Sequence, residues 1–207
     1  MNLMNIDNLE LKKAIHKSQH CQRNWDLTRE IPEGDLDIIL TAATQCPSKQ
    51  NIAHYNVHAI TNRDIIEQIH DNTKGFQVHQ TNSQVLANLL IVLEHKPVVD
   101  HNNLFKFNKD IDQTGKQLSY LRDAHMAVGV AAGYLNIVST LLGYSTGCCA
   151  CFNGDAIKEI LSLENDVLLM MGIGFKNTEM NRRIHHKDQS FTFPAIKKEE
   201  IQVRYFK

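Results

Sequence analysis

Two short stretches of this 207-residue chain carry side chains whose types and spacing could do chemistry. The first, Cys148-Cys149-Ala150-Cys151, contains a C-x-x-C. A redox pair would need it at a helix N-terminus after a strand. Zinc would need a second pair of ligands, for which His185-His186 is on offer. Packed or loop thiols without a ligand are the simpler reading, and no metal site is expected. The second stretch is Cys46-Pro47-Ser48-Lys49-Gln50-Asn51, which sets a hydroxyl, an ammonium and two amides on a Pro-broken loop. Arg23, Lys49 and Arg182/Arg183 form a third candidate: converging, they would suit a phosphate, with Arg offering a planar fork. Unrelated surface charge is the commoner explanation of such residues. A Cys21 or Cys46 nucleophile with a His base has no local support. The chain has no G-x-S-x-G, P-loop or G-x-G-x-x-G.

These residues need elements to place them. Asp7 and Glu10 suggest a capping box opening a helix to about Ser18. Residues 19–31 have no clear period and hold the only Trp. Pro32-Glu33-Gly34-Asp35 opens a second helix, with the stripe Leu36, Ile39, Leu40, Ala43, that Pro47 ends. His54–Ile60 alternates as a strand, Asp64–His70 reads as a short helix, and Asn72–Gln84 as polar loop or irregular helix. The runs Leu89–Leu93 and Val167–Gly172 predict strands buried on both faces. Residues 96–116 have weak periodicity and suggest a lid excursion; a long helix from about Gln117 to Leu142 follows. The end, with Ile201, Val203 and Tyr205 alternating with polar residues, reads as a last strand or an extended arm. The class is α+β in one domain over 1–207.

Composition narrows the partners. Apolar residues make up 43% and charged residues 22%, and the net charge is -1. That is ordinary for a globular chain and leaves no footprint for nucleic acid. Five Cys, an odd number, do not suggest a disulfide framework, and residues 1–10 lack the pattern of a secretory signal, so a cytoplasmic location is expected. Met126–Asp155 is uncharged up to Asp155 and contains Gly129-x-x-x-Gly133. Its length would permit a membrane span. Asn136, Ser139, Thr140, Ser145 and Thr146 dilute it, and a buried helix with no membrane is the expectation.

The order of motifs resembles the FMN-dependent nitroreductase family. The matching residues are Arg23-Asn24-Trp25, then Ile31-Pro32 through Ala42-Ala43, then Pro47-Ser48-Lys49-Gln50-Asn51. A small-residue helix leads on to Leu142-Gly143-Tyr144-Ser145-Thr146-Gly147, followed by Phe152, Ala156–Leu163, a buried strand, Gly172 and a basic pair. The resemblance implies an α-β-α sandwich with a mostly antiparallel central sheet. It also implies an intertwined homodimer with an extended C-terminal arm, and FMN at the interface.

Carried over by position, it implies that Gln19, His20, Cys21 and Arg23 face the phosphate and ribityl chain. Here two Arg and a Ser hydroxyl of the family's segment are replaced by Gln19, His20 and Cys21. Pro47, Ser48 and Asn51 would contact flavin from the second subunit. Asn82 would lie near the pyrimidine edge, Cys149, Ala150 and Cys151 near N5 and O4, and Arg182 or Arg183 near the phosphate. After Asn51 the family's x-Q-P-W is Ile52-Ala53-His54-Tyr55. The implied activity is hydride transfer from NAD(P)H to a nitroaromatic, quinone or related small-molecule acceptor by a ping-pong mechanism, with the flavin carrying the chemistry. The alternatives are a family member with altered chemistry, such as flavin or halogenated-substrate metabolism, and a non-enzymatic dimeric module.

Overall fold

The computed structural model describes residues 7–75, 81–98 and 113–206, the span 113–117 by backbone alone. Its elements, in order, are α1 (Asn8–Ser18), α2 (Glu33–Thr44), β1 (Tyr55–Ile60), α3 (Arg63–Asp71), β2 (Leu89–His95), α4 (Gln113–Leu141), β3 (Ser145–Cys149), α5 (Gly154–Leu161) and β4 (Val167–Gly174). Short 3-10 turns lie at Lys49–Asn51 and Ser83–Val85. Local sequence explains most starts. The side chains of Asp7, Asn62 and Asn153 each accept a hydrogen bond from a backbone N–H in the first turn of α1, α3 and α5.

The four strands form one antiparallel sheet in the order β1-β2-β4-β3. Why β2 is apolar without a break is plain from its two neighbours. Leu89, Ile91 and Leu93 enter a core shared with Ile39 and Ala43 of α2 and Ala127, Ala131 and Leu135 of α4. Leu90 and Val92 enter a second core with Ile66 and Ile69 of α3, Ile157 of α5 and Leu86. An antiparallel sheet with helices over both faces follows, so neither parity of the strand faces water. The expected α-β-α sandwich is observed.

Three expectations change. After the helix end at about Leu142 no strand is expected and the thiols of 148–151 read as packed or loop residues, yet Ser145–Cys149 is a strand. Its small and polar residues carry no strand pattern; it is fixed by in-register pairing with β4, Gly147 opposite Gly172. The helix expected from about 117 begins at Gln113, so residues 113–116 of the suggested lid belong to α4, while 99–112 lie outside the described residues. Of the strand or extended arm expected at the end, the strand is absent from residues 194–206, where Ile201, Val203, Tyr205 and Phe206 are each at least 69% exposed.

Within α4, the segment Leu118–Leu141 is long and apolar enough to cross a membrane by length and composition. In the fold, Ala127, Val128, Ala131, Ala132 and Leu135 of this helix are buried against the sheet and α2. Its other side leaves Met126, Val130 and Tyr134 exposed.

Candidate functional site

Cys21 and Gln22 lie along the outer edge of β3, and Trp25 bridges Lys176 just beyond β4. Cys21 bridges Thr146 in parallel, and the Gln22 N–H donates to the Thr146 carbonyl at 2.8 Å. One layer further, the Arg23 N–H donates to the Arg182 carbonyl at 3.1 Å. This stacking of chain segments brings Lys17 from the last turn of α1, His20, Lys176 from just beyond β4, and Arg182 around one cavity of about 330 Å³. No Asp or Glu is among its described lining residues. Burial lowers the pKa of Lys17, and neighbouring Lys176 lowers it further. Burial likewise lowers His20, aided by Arg182 and His16. Cations held this close without a counter-charge repel one another, and an anion in the cavity would relieve that. Arg182 is oriented by donating to the Cys21 carbonyl at 3.2 Å, and Lys17 Nζ donates to the Gly143 carbonyl at 3.3 Å.

The predicted site residues divide sharply. His20 and Arg182 line the cavity, while Cys21 is half-buried, is not among the lining residues, and has its thiol pKa raised by burial. Gln19 points out to solvent and pairs with His16 Nδ1 at 2.9 Å. Arg23 turns away from the cavity: Nη1 donates to Gln84 Oε1 at 2.7 Å, and the guanidinium lies 3.8 Å from the centre of the Phe193 ring. Arg183 donates from Nη1 to the Phe193 carbonyl at 2.9 Å and braces that ring rather than the cavity. Asn82 spends its Nδ2 hydrogens on the carbonyls of Lys74 and Cys151. Cys149 is buried, with its pKa raised to about 11 by burial, whereas Ala150 and Cys151 form an exposed turn after β3. Cys148 is also pushed up to about 11 by burial. These are poor nucleophiles, and no group of metal ligands occurs among the described residues.

The Pro47–Asn51 loop sits elsewhere. Ser48 and Asn51 line a separate cavity of about 310 Å³ beside Cys46 and Tyr55, which shares no lining residue with the basic one. Gln50 and Asn51 both adopt left-handed backbone, at φ 57° and 56°. Two such non-glycine residues in succession are strained. The turn is held by Ser48 Oγ donating to the Ile52 carbonyl at 2.6 Å and by a 2.6 Å ion pair from Lys49 to the buried Asp123 of α4. Lys49 therefore does not join Arg23 and Arg182 in one anion site. His54, buried behind the loop, has no partner for either ring nitrogen among the described residues.

Sequence reasoning missed two groups. Lys17 and Lys176 carry no motif; only the fold shows that they stand beside His20, where the family's arginines are absent. The other group is Ser83-Gln84. Ser83 Oγ donates to the Arg23 carbonyl at 2.7 Å, and the Ser83 carbonyl accepts from Trp25 Nε1 at 2.9 Å. Gln84 donates from Nε2 to the Cys148 carbonyl at 3.2 Å while accepting from Arg23. The turn presses so closely on the sheet that a Cβ at Gly147 would lie 2.6 Å from Gln84 Cβ, and one at Gly172 only 2.0 Å from the Gln84 carbonyl oxygen. Two facing strand glycines were the available signal.

A model of the nitroreductase family matches residues 17–175. The chain belongs to the nitroreductase family. No curated protein sequence matches it. Among solved structures, this nitroreductase-family chain is similar to a candidate nitroreductase from Bacillus subtilis, with TM-score 0.70 and 16% identity over 97% of this chain and all (100%) of that one. A candidate NAD(P)H:FMN oxidoreductase from Staphylococcus epidermidis aligns with TM-score 0.67 and 15% identity, covering 87% of this chain and 92% of the other. An FMN-dependent nitroreductase from Clostridium difficile aligns with TM-score 0.57 and 18% identity, covering 79% and 86%. At such identities the likeness is one of fold.

Proposed function

We propose that this protein is an FMN-dependent oxidoreductase that takes hydride from NAD(P)H and passes it to a nitroaromatic, quinone or related small acceptor in a ping-pong cycle. The observation that carries the reading is the cavity walled by Lys17, His20, Lys176 and Arg182 without a carboxylate among its described lining residues. That donor set fits a phosphate monoester. From Thr146 at the cavity to Cys149 at the end of β3 is about 10 Å by the rise of a strand, and the exposed Ala150–Cys151 turn lies just beyond. A nucleotide anchored at the phosphate would run along this edge. FMN, when bound, supplies the hydride chemistry; the chain supplies the anchor, Arg23 tied to β3 through Gln84, and the exposed Ala150–Cys151 segment.

The second half of the site would come from another copy of the chain. Ser48 and Asn51 stand on a separate cavity of their own chain, with exposed Pro47 in the same strained loop. The uncovered α4 side at Met126, Gly129, Val130, Gly133 and Tyr134, and the exposed apolar side chains of 196–206, offer surface for such a homodimer. A cytoplasmic enzyme fits the unpaired thiols.

Titration of the purified protein with FMN tests the reading, followed by anaerobic addition of NADH or NADPH. Near-equimolar uptake and bleaching of the flavin bands are expected. A protein that takes up no FMN sinks the proposal. Lys17→Ala combined with Lys176→Ala should weaken FMN by about tenfold or more, since each removes a charged contact. Cys149→Ser should leave binding nearly intact.

A further inference from the structure

We infer that Gln84 is a positioning residue that fixes Arg23 for the flavin, acting through the guanidinium rather than touching the cofactor; the inference rests on the flavin reading above. The side chain of Gln84 is 5% exposed, and both ends of its amide are engaged. Oε1 accepts from Arg23 Nη1 at 2.7 Å, and Nε2 donates to the Cys148 carbonyl at 3.2 Å. That second bond fixes which way the amide faces, so the oxygen is turned to Arg23. Phe193 backs the guanidinium at 3.8 Å and is itself tied to Arg183. Arg23 is thus held from one edge and one face, while its Nε and Nη2 take no part in the bond to Gln84. Its backbone sits against Arg182 at the basic cavity, and its side chain reaches Gln84, which holds β3 at Cys148. Through Gln84 the guanidinium is tied to Cys148, which lies on β3 between Thr146 of the basic cavity and the exposed Ala150–Cys151 segment, along the route proposed for the flavin.

A neutral amide is suited to this task. A carboxylate in its place would form an ion pair and cancel the charge; an amide orients Arg23 and leaves its charge to act on the negative charge that a flavin gains on reduction. The chain makes unusual room for this contact. Gly147 and Gly172, on adjacent strands, are the two positions where a Cβ would collide with Gln84.

The experiment is a double-mutant cycle on the full chain with FMN as probe. Wild type, Gln84→Met, Arg23→Met and the double variant are compared by flavin fluorescence quenching, by the reduction potential of the bound flavin and by melting of the FMN-free protein. Gln84→Met keeps the volume and removes both hydrogen bonds. It should weaken FMN about tenfold, shift the potential to more negative values, and add no further loss of affinity once Arg23 is Met. Affinity and potential like wild type in Gln84→Met, or losses that simply add in the double variant, overturn the inference. If Gln84→Met does not fold, Gln84→Glu serves: it keeps a partner for Arg23 but cancels the charge, and an unchanged potential overturns the inference. Wild type that binds no FMN would overturn the flavin reading, and this role with it, before any variant is made.

Discussion

Two pairs of glycines in this protein serve opposite ends. Gly147 and Gly172 face each other on β3 and β4, and the space where their side chains would stand is filled by Gln84 and, for Gly147, by the Gln22 carbonyl at 2.8 Å. Gly129 and Gly133 sit one turn apart on α4, and a Cβ on either would meet nothing within 4 Å. The first pair lets the 82–85 turn close onto the sheet, so that Trp25, Arg23 and Cys148 are all tied to it. The second pair does nothing for the single chain that alanine would not do better. One pair therefore belongs to the folding of the chain. The other lies on the α4 side proposed above as surface for a homodimer, where small residues would permit close approach.

The sharpest way to break that contrast is to add one methyl group at each site. Gly172→Ala should be the most damaging single methyl, because its neighbour at 2.0 Å is a backbone carbonyl that cannot rotate aside. A loss of about 3 kcal/mol or more is expected from overpacking, read as a lower urea midpoint. Gly147→Ala should cost less, since part of the clash is with the Gln84 side chain. A Gly172→Ala protein as stable as wild type would show that the turn is free to move off the sheet.

The contrast also shows what was legible in the sequence. β2 and β4 were plain because apolar runs of strand length need two covered faces, which Leu89–Leu93 found on α2 and α4 below and α3 and α5 above. His20 and Arg182 were legible through the order of family motifs. β3 was not, because Ser-Thr-Gly-Cys-Cys has neither alternation nor β-branched weight, and its pairing is long-range. Lys17 and Lys176 were invisible for the same reason: they come from α1 and from the end of β4, and 158 intervening residues separate two charges that share one cavity. Lys49 misled, since only the fold supplies Asp123 as its partner. The Gly129-x-x-x-Gly133 spacing of α4 was legible as a pattern, but among the described residues nothing fills the gap beside either glycine.

Acid should separate the two regions next. Glu94 of β2 is 4% exposed and lies among Asn56, His58 and Asn165. Burial opposes its charge, but hydrogen bonds from His58, the Asn165 backbone and the two Asn amides outweigh that and hold its pKa at about 2. A pKa below the unfolded value contributes stability that is present above about pH 4.5 and is lost as pH falls towards 2. The contribution is on the order of 2–3 kcal/mol. Glu94→Gln should flatten the stability profile between those values while leaving association through the α4 side unchanged at neutral pH. An identical acid profile in the variant would place the sensitive carboxylate elsewhere. A higher window belongs to His70 and His185, which share Thr81 at 2.7 and 3.3 Å. His185 Nδ1 accepts the N–H groups of Lys187 and Asp188, so its ring must be neutral there. Burial lowers both pKa values, helped by Lys187 at each ring, by His185 at His70 and by Arg23 at His185, and opposed by Asp71 at His70 and by Thr81 and Asp188 at His185. Their share of stability is complete above about pH 6.5 and declines below it.

The smallest expected effect on stability is the most informative about assembly. Gly129→Ala and Gly133→Ala should each stabilise the isolated chain by roughly 0.5–1 kcal/mol, because alanine is the better helix former and meets no neighbour. If the α4 side packs closely on a second copy, the same methyl groups stand in the contact, and sedimentation should show weaker self-association as the single chain becomes more stable. Gain of stability and loss of association in one variant is a pairing that general destabilisation does not produce. Association unchanged in both variants would remove α4 from the interface and leave the Pro47–Asn51 loop without the partner surface proposed for it.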